Sequence, residues 1–289
     1  MSKSEVCFQV FGYLVISLVL CTILLPVLNI LAVSLSEKNA VIQNRVTIFP
    51  IGWETRSYQD ILSMRNGVFL RTLGNTVFIT VAGTIGALAV TVSAAYAMST
   101  TFVGKKFVTF YFLVTMYFSG GVIPSYIINT NYFKLGDSYA ILILPGLLSI
   151  FYVIVVRSQI EAIPPGIYEA ASIDGATEFH KLFLITVPAI VPTIAAIAMF
   201  YALSYWNSWF NVMIYMRGSN KWTLQYLLRA IVMEQTLRAD VQPLGTEPPP
   251  PLENFQMAAI VMVAAPIIAI YPFVQKYFVK GILSGAVKG

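Results

Sequence analysis

The sequence predicts an all-α protein that crosses a membrane about six times. Three observations carry that prediction. The 289 residues are 57% hydrophobic and only 11% charged, about half the charged share of an ordinary soluble domain. Mean hydropathy is +0.75, so the chain could not cover its surface in water. The apolar residues also fall into stretches long enough to span a bilayer, which takes roughly 20 residues each.

The first stretch covers about 8–33, with Pro26 predicting a kink. It is too long for the apolar region of a secretory signal, roughly 7–15 residues, so a retained span is expected. The second covers about 72–98 and is rich in Gly, Ala, Thr and Ser. The third covers about 107–128 and the fourth, near the lower length limit, about 139–156. The fifth covers about 188–216, long enough to tilt, and the sixth about 255–278. Polar connections of about 34–71 and 217–254 separate them. The first holds Tyr58-Gln-Asp-Ile-Leu, suited to a short interfacial helix. The second holds a helical period from Trp222 and then Pro248–Pro251, which cannot continue a helix. Residues 1–289 are thus expected to form a single transmembrane domain, its core spans within about 72–278.

An even number of spans puts both termini on one side. One face then carries Lys3, Lys105, Lys106, Arg157, Lys181, Lys276, Lys280 and Lys288, against 10 cations on the other. The raw totals do not decide orientation. Short loops and tails carry the signal, and Lys105-Lys106 with the tail lysines puts the termini in the cytoplasm. The net charge of +5 is scattered along the chain, which argues against nucleic acid as a partner. Cys7 and Cys21 lie too far apart along one helix to bridge. In the second span Gly83, Gly86, Ala89, Ala94, Ala95 and Ala97 form a small-residue face. No GxxxG pair is present, so packing within the subunit is expected rather than a dimer seam.

A polar interruption, about 161–188, separates the fourth and fifth spans. Pro164-Pro165-Gly166 opens a helix, since proline in the first turn loses no hydrogen bond. Tyr168, Ala171 and Ser172 share a face, with Glu169 and Ala170 beside them. Gly175 can take the left-handed conformation that ends a helix, and Asp174 is expected to cap the next one. Phe179, Leu182, Phe183 and Thr186 then follow at helical spacing. The prediction is a helix, hinge and helix elbow outside the membrane, with Glu169 and small alanines at its tip. From the residues alone, an interfacial amphipathic connector is an equal alternative.

The order Glu169-Ala170-Ala171, three residues, Gly175, nine residues, Ile185 and Val187-Pro188 resembles the EAA motif of bacterial ABC-importer permeases. Val187 stands where leucine is more usual. Residues 117–124, 205–211 and 275–281 also look like carbohydrate importers of the maltose-permease superfamily, nearest the LplC/YtcP-like branch. The resemblance implies a type I ABC importer permease fold with cytoplasmic coupling helices, in a bacterial plasma membrane. It implies that Glu169, Ala170, Ala171, Asp174, Gly175 and Phe179 couple to an ATPase. Implied partners are a second homologous permease, two ATPase subunits, an extracytoplasmic solute-binding protein facing loop 217–254, an oligosaccharide and membrane lipid.

No catalytic apparatus is visible. His180, the single histidine, has no neighbours suited to a triad or metal site. No Walker A pattern is present, so ATP and Mg²⁺ would be held by a partner, with no cofactor or metal in this chain. The candidate substrate path is Tyr201, Tyr205, Trp206, Asn207, Trp209 and Asn211, with Ser119 at a second place where Ser119-Gly120-Gly121 would loosen the backbone. Aromatic faces meet sugar C–H groups and amides meet hydroxyls. An interfacial aromatic belt explains the rings equally well, but not Asn207 and Asn211 at helical i, i+4 spacing. Trp222, Tyr226, Arg229 and Arg238 suit either a docking face or a solvated cap. Two other functions stay open here: an ATP-independent transporter or channel, disfavoured by the scarcity of intramembrane carboxylates, and a permease for a peptide or polyol phosphate.

Overall fold

A computed structural model describes residues 3–63, 67–241 and 253–286. Those residues are all helix and connection. In order the helices are α1 (Lys3–Ser34), α2 (Lys38–Ile42), α3 (Arg56–Leu62), α4 (Val68–Ser99), α5 (Lys105–Tyr117), α6 (Val122–Tyr132) and α7 (Tyr139–Gly146). Then come α8 (Ile150–Glu161), α9 (Pro165–Ile173), α10 (Glu178–Ala189), α11 (Val191–Trp206), α12 (Phe210–Tyr215), α13 (Leu224–Val241) and α14 (Glu253–Ala286). Three stretches are long and apolar enough to cross a membrane unaided: Phe8–Ser34, Val68–Ser99 and Glu253–Ile270. Three bent pairs, α5 with α6, α7 with α8, and α10 with α11, bring the number to as many as six if each pair counts as one span. Pro26 lies inside α1 without ending it. Pro248–Pro251 lies outside the described residues.

The bends correct the straight spans expected from the sequence. α5 and α6 meet at 111°, so the third stretch is no single rod. Gly121 makes the corner at φ +84°. Its N–H donates to Ser119 Oγ (3.2 Å), and its carbonyl accepts from Ser125 Oγ (2.7 Å). α7 and α8 meet at 47° across Pro145-Gly146 and the residues after them. The fifth stretch is broken rather than continuous from Pro188, and its second helix begins at Val191. α10 turns 82° into α11 at Ile190, because Pro192 opens a new helix at its second position, where a missing N–H breaks nothing.

The chain divides into two compact units. The first joins 1–70 to 227–268. Its buried cluster is Ala32, Val33, Ala40, Val41 and Val46, with Met257 packed against it. Around that cluster the α1–α2 turn is tied by Ser36, whose Oγ donates to the Ala32 carbonyl (2.6 Å) and accepts from Ile51 N–H (3.0 Å). Asn254 Nδ2 donates to the Ser36 carbonyl (2.7 Å). From Phe8 to Leu28 nearly all of α1 is exposed, Phe8 and Tyr13 by more than two thirds, as suits a helix whose neighbour is lipid.

The second unit joins 71–226 to 269–289. Its core gathers Ile79, Ala87 and Ala95 of α4, Ile141 and Leu142 of α7, Val153 and Val156 of α8, and Ile197, Tyr201 and Tyr205 of α11. The expected small-residue face of α4 holds only in part: Gly83, Gly86 and Ala95 pack inside the unit, whereas Ala89 and Ala97 are exposed, because the six positions do not share one side of the helix. A Cβ on Gly83 would lie 2.6 Å from the Tyr205 ring, and one on Gly86 would lie 2.9 Å from Leu147. The glycines let α11 and the α7–α8 break approach α4 more closely than any side chain would allow.

Candidate functional site

Two sites in the second unit hold the residues singled out from the sequence. The first is the elbow, α9 and α10. Gly175 adopts φ +79° and ends α9 as expected. Its N–H donates to the Ser172 carbonyl (3.2 Å), and Ala176 N–H donates to the Ala171 carbonyl (2.9 Å). Asp174 does not cap the next helix: it closes α9 at its C-terminal end. Thr177 is the cap, and it forms a reciprocal box with His180, whose Nδ1 sits 3.0 Å from Thr177 Oγ1. The cap moves three residues downstream because Gly175-Ala176 is spent on the turn. His180 is therefore a capping residue.

Glu169, Ala170, Asp174 and Phe179 are exposed, whereas Ala171 is buried against the body of the unit. Only part of the expected tip therefore points outward. The expected apolar stripe also splits. Leu182 and Thr186 turn inward, while Phe179 and Phe183 stack outside at 6.3 Å. Ile173, 87% exposed, adds a further outward apolar side chain at the end of α9, one turn from Glu169.

Three residues that the sequence does not single out fasten the elbow. Tyr96, at the end of α4, donates its hydroxyl to Glu178 Oε2 (2.6 Å). Lys181 Nζ donates to Glu178 Oε1 (2.7 Å). These bonds hold the Glu178 carboxyl below its ordinary pKa of 4.5, Lys181 first and Tyr96 second. Tyr168 of α9 and Thr186 of α10 share a hydroxyl pair (2.9 Å). Behind this latch lies a cavity of about 520 Å³, walled by Tyr96, Tyr168, Glu169, Glu178 and Lys181 among others. Eighty-two positions separate Tyr96 from Glu178, so no local spacing could have paired them.

The second site is a cavity of about 320 Å³ between α7, α8, α11 and α12, lined by Ser149, Tyr152, Tyr201, Ser204, Tyr205, Ser208 and Asn211 with three smaller apolar positions. Of the expected path residues, Tyr201, Tyr205 and Asn211 line it. Trp206 is buried, and its Nε1 has no partner. Asn207 is exposed and accepts from Gln225 Nε2 (3.1 Å), and Trp209 packs on Phe210. Ser119 sits at the α5–α6 corner. The expected Asn207 and Asn211 pairing on one helix does not occur: α11 ends at Trp206, and Asn211 belongs to α12.

Both tyrosines also repair the broken helix. The Tyr201 hydroxyl accepts from Ser149 N–H (3.2 Å) and bonds Thr91 Oγ1 (2.7 Å). Tyr205 donates to the Ile143 carbonyl (3.0 Å). Backbone groups freed within lipid need such partners, and the aromatic residues that wall the cavity supply them. Ser149, Ser204 and Ser208, equally part of the wall, carry no sequence signal of their own.

At the other end of α4 a cap closes the unit. Asn75 Nδ2 donates to the carbonyls of Asn220 (2.9 Å) and Trp222 (3.0 Å), and its Oδ1 accepts from Tyr139 (2.9 Å). Thr76 Oγ1 accepts from Leu224 N–H (2.8 Å). Asp137 takes Lys221 Nζ (3.0 Å) and Arg217 N–H (3.3 Å), which hold its carboxyl below the usual range. Trp222 and Tyr226 meet edge to face within this cap. The side chain of Arg238 lies outside the described residues.

Residues 87–284 match the family described as binding-protein-dependent transport system inner membrane component. The chain is 34% identical over 282 residues to the polygalacturonan/rhamnogalacturonan transport system permease protein YtcP of Bacillus subtilis, covering 97% of each. It is 35% identical over 289 residues to protein LplC of the same organism, covering 100% of this chain and 97% of the other. Among solved structures it matches a chain of a bacterial ABC transporter involved in the import of the acidic polysaccharide alginate. The TM-score is 0.84 at 30% identity, covering 96% of this chain and 99% of the other. With its helices arranged to cross a membrane several times, the chain belongs to the family of binding-protein-dependent transport system inner membrane components: it is a multi-pass ABC transporter permease, a transport subunit and not an enzyme.

Proposed function

We propose that this permease passes oligosaccharides into the cytoplasm, taking them from an extracytoplasmic solute-binding protein, and that two ATPase copies drive it through the elbow at 161–188. A second homologous permease completes the pathway. ATP and Mg²⁺ sit on the ATPases, and no cofactor resides in this chain. The elbow and both termini face the cytoplasm, on the side of the short-link Lys105-Lys106, while 217–254 faces outward.

The observation that carries this reading is the elbow's build. Exposed Glu169, Ala170 and Ile173 before a left-handed glycine hinge, and exposed Phe179 and Phe183 after it, stand on a segment bonded to α4 through Glu178. A lever needs a grip, a pivot and a link to the moving part, and these residues supply all three. The names of the relatives support a saccharide. The cavity suits one too, with aromatic faces and hydroxyls and no cation among its lining residues. An acidic fragment would have its charge met elsewhere along the path.

Gly175→Pro is the test. Proline fixes φ near −65°, against +79° here, and removes the N–H bonded to Ser172. Uptake of labelled oligogalacturonide should be lost while the protein still inserts in the membrane. Normal uptake would contradict the lever. A peptide or polyol phosphate taken up in place of the oligosaccharide by the wild type would overturn the substrate class and leave the lever standing.

A further inference from the structure

We infer that the groove between the start of α5 and the end of α8 binds the headgroup of an anionic glycerophospholipid. The inference rests on the proposed orientation, which puts this groove at the cytoplasmic leaflet. The groove measures about 710 Å³ and is open on one side. Its polar end carries Lys105, Lys106 and Arg157, and its apolar wall is formed by Phe102, Phe110 and Leu113.

The two halves match the two halves of a lipid. Phe110 is 65% exposed, and Phe102 and Leu113 are each about 40% exposed. α5 buries none of its residues inside the unit. An acyl chain lying along this wall removes apolar surface from contact with water at the membrane boundary. The cations are under-neutralised. Arg157 pairs with Glu161 through Nε (2.8 Å), and Lys105 reaches only the Ser99 carbonyl, at 3.4 Å. Lys106 is exposed and makes no hydrogen bond or ion pair among the described residues. Glu161 offsets Arg157, and the groove's own lining carries no carboxylate to offset the two lysines, so the charge it lacks is negative. Thr101 and Thr109, also in the lining, offer hydroxyls to phosphate or glycerol oxygens. Basic pockets at this depth between membrane helices attract anionic headgroups, each lysine or arginine contributing roughly fivefold in affinity.

The assembled transporter, purified with its partner subunits, is exchanged into mixed micelles of phosphatidylglycerol and phosphatidylcholine. Lipid retained by this chain is then read by native mass spectrometry. The wild type should retain phosphatidylglycerol preferentially, and that preference should fade as salt is raised. In Lys105→Gln/Lys106→Gln it should fall by about tenfold or more, while Lys105→Arg/Lys106→Arg should keep it. Equal retention of the two lipids by the wild type overturns the inference whether or not the glutamine variant assembles. So does an unchanged preference in the glutamine variant. Loss of partner subunits with the lipid preference intact marks the groove as a protein interface and also overturns it. Sugar uptake is not part of the readout, so failure of the transport reading leaves this test standing.

Discussion

The two ends of α4 are fastened in different ways, and the difference separates what is fixed in this unit from what is free to move. At the cap end, Asn75 and Thr76 spend four hydrogen bonds on two backbone carbonyls, a backbone N–H and a tyrosine hydroxyl. Twenty-one residues on, about 32 Å along the helix, Tyr96 makes one bond to the exposed carboxylate of Glu178. Breaking the cap parts the buried Thr76 hydroxyl from the Leu224 N–H and unpairs the half-buried Asn75 and Tyr139 together. Releasing the elbow frees one exposed carboxylate, which water can satisfy, and one tyrosine hydroxyl at the edge of the core. The cap is a fixture and the elbow is a latch, which is the asymmetry a lever requires.

The comparison can be broken from either side, and the elbow should give the largest effect. Gly175→Pro should abolish uptake without preventing insertion. Next, Asn75→Ala should destabilise the unit by roughly 1–2 kcal/mol, since it unpairs the half-buried Tyr139 hydroxyl and Trp222 carbonyl. A thermal melt of the purified protein reads this, and a melt unchanged from wild type would remove the cap's claim to be a fixture. Gly83→Val should cost about 1–3 kcal/mol by pushing the Tyr205 ring off α4, and Tyr205→Ala in the same chain should recover part of it. Tyr96→Phe removes one hydroxyl. Stability should fall by no more than about 1 kcal/mol, while uptake falls several-fold with ATPase subunits still bound. Equal losses in stability and uptake would make Tyr96 a packing residue and nothing more.

The smallest effect is that of pH on the latch. Because Glu178 is held below its ordinary pKa of 4.5, its contribution is complete above that value. It fades only as pH falls through the lower folded value. Coupling should therefore be flat across neutral pH. In Glu178→Gln the part of the acid limb that belongs to this carboxyl should vanish, as an uptake profile run downward from pH 7 would show.

Much of this was legible in the sequence, and the parts that were not share a cause. The all-helical, multi-span character, the close packing at Gly83 and Gly86 and the Gly175 hinge follow from composition and from backbone chemistry that acts over a few residues. Ser119-Gly120-Gly121 marks its bend as a place where the backbone loosens, but the bends at Pro145-Gly146 and Pro188–Pro192 hide. There, apolar periodicity runs on while the backbone turns. The Thr177-His180 cap was present as a spacing, but Asp174 offered a competing cap closer to the glycine. Tyr96–Glu178 and the repair of Ser149 by Tyr201 join residues from distant parts of the chain. Nothing in the sequence near any of these residues marks the partner. The tyrosines of α11 were chosen as path residues for their faces, and the structure shows their hydroxyls committed to a broken helix.

The most direct measurement is crosslinking from Ala170, the outward alanine of the elbow. Ala170→Cys, carrying a short bifunctional reagent in the assembled transporter, should join to an ATPase subunit, and the yield should change when ATP is added. If Ala170 never joins the ATPase with either nucleotide state present, while cysteines elsewhere on the same face do, the elbow is not where the motor holds this permease.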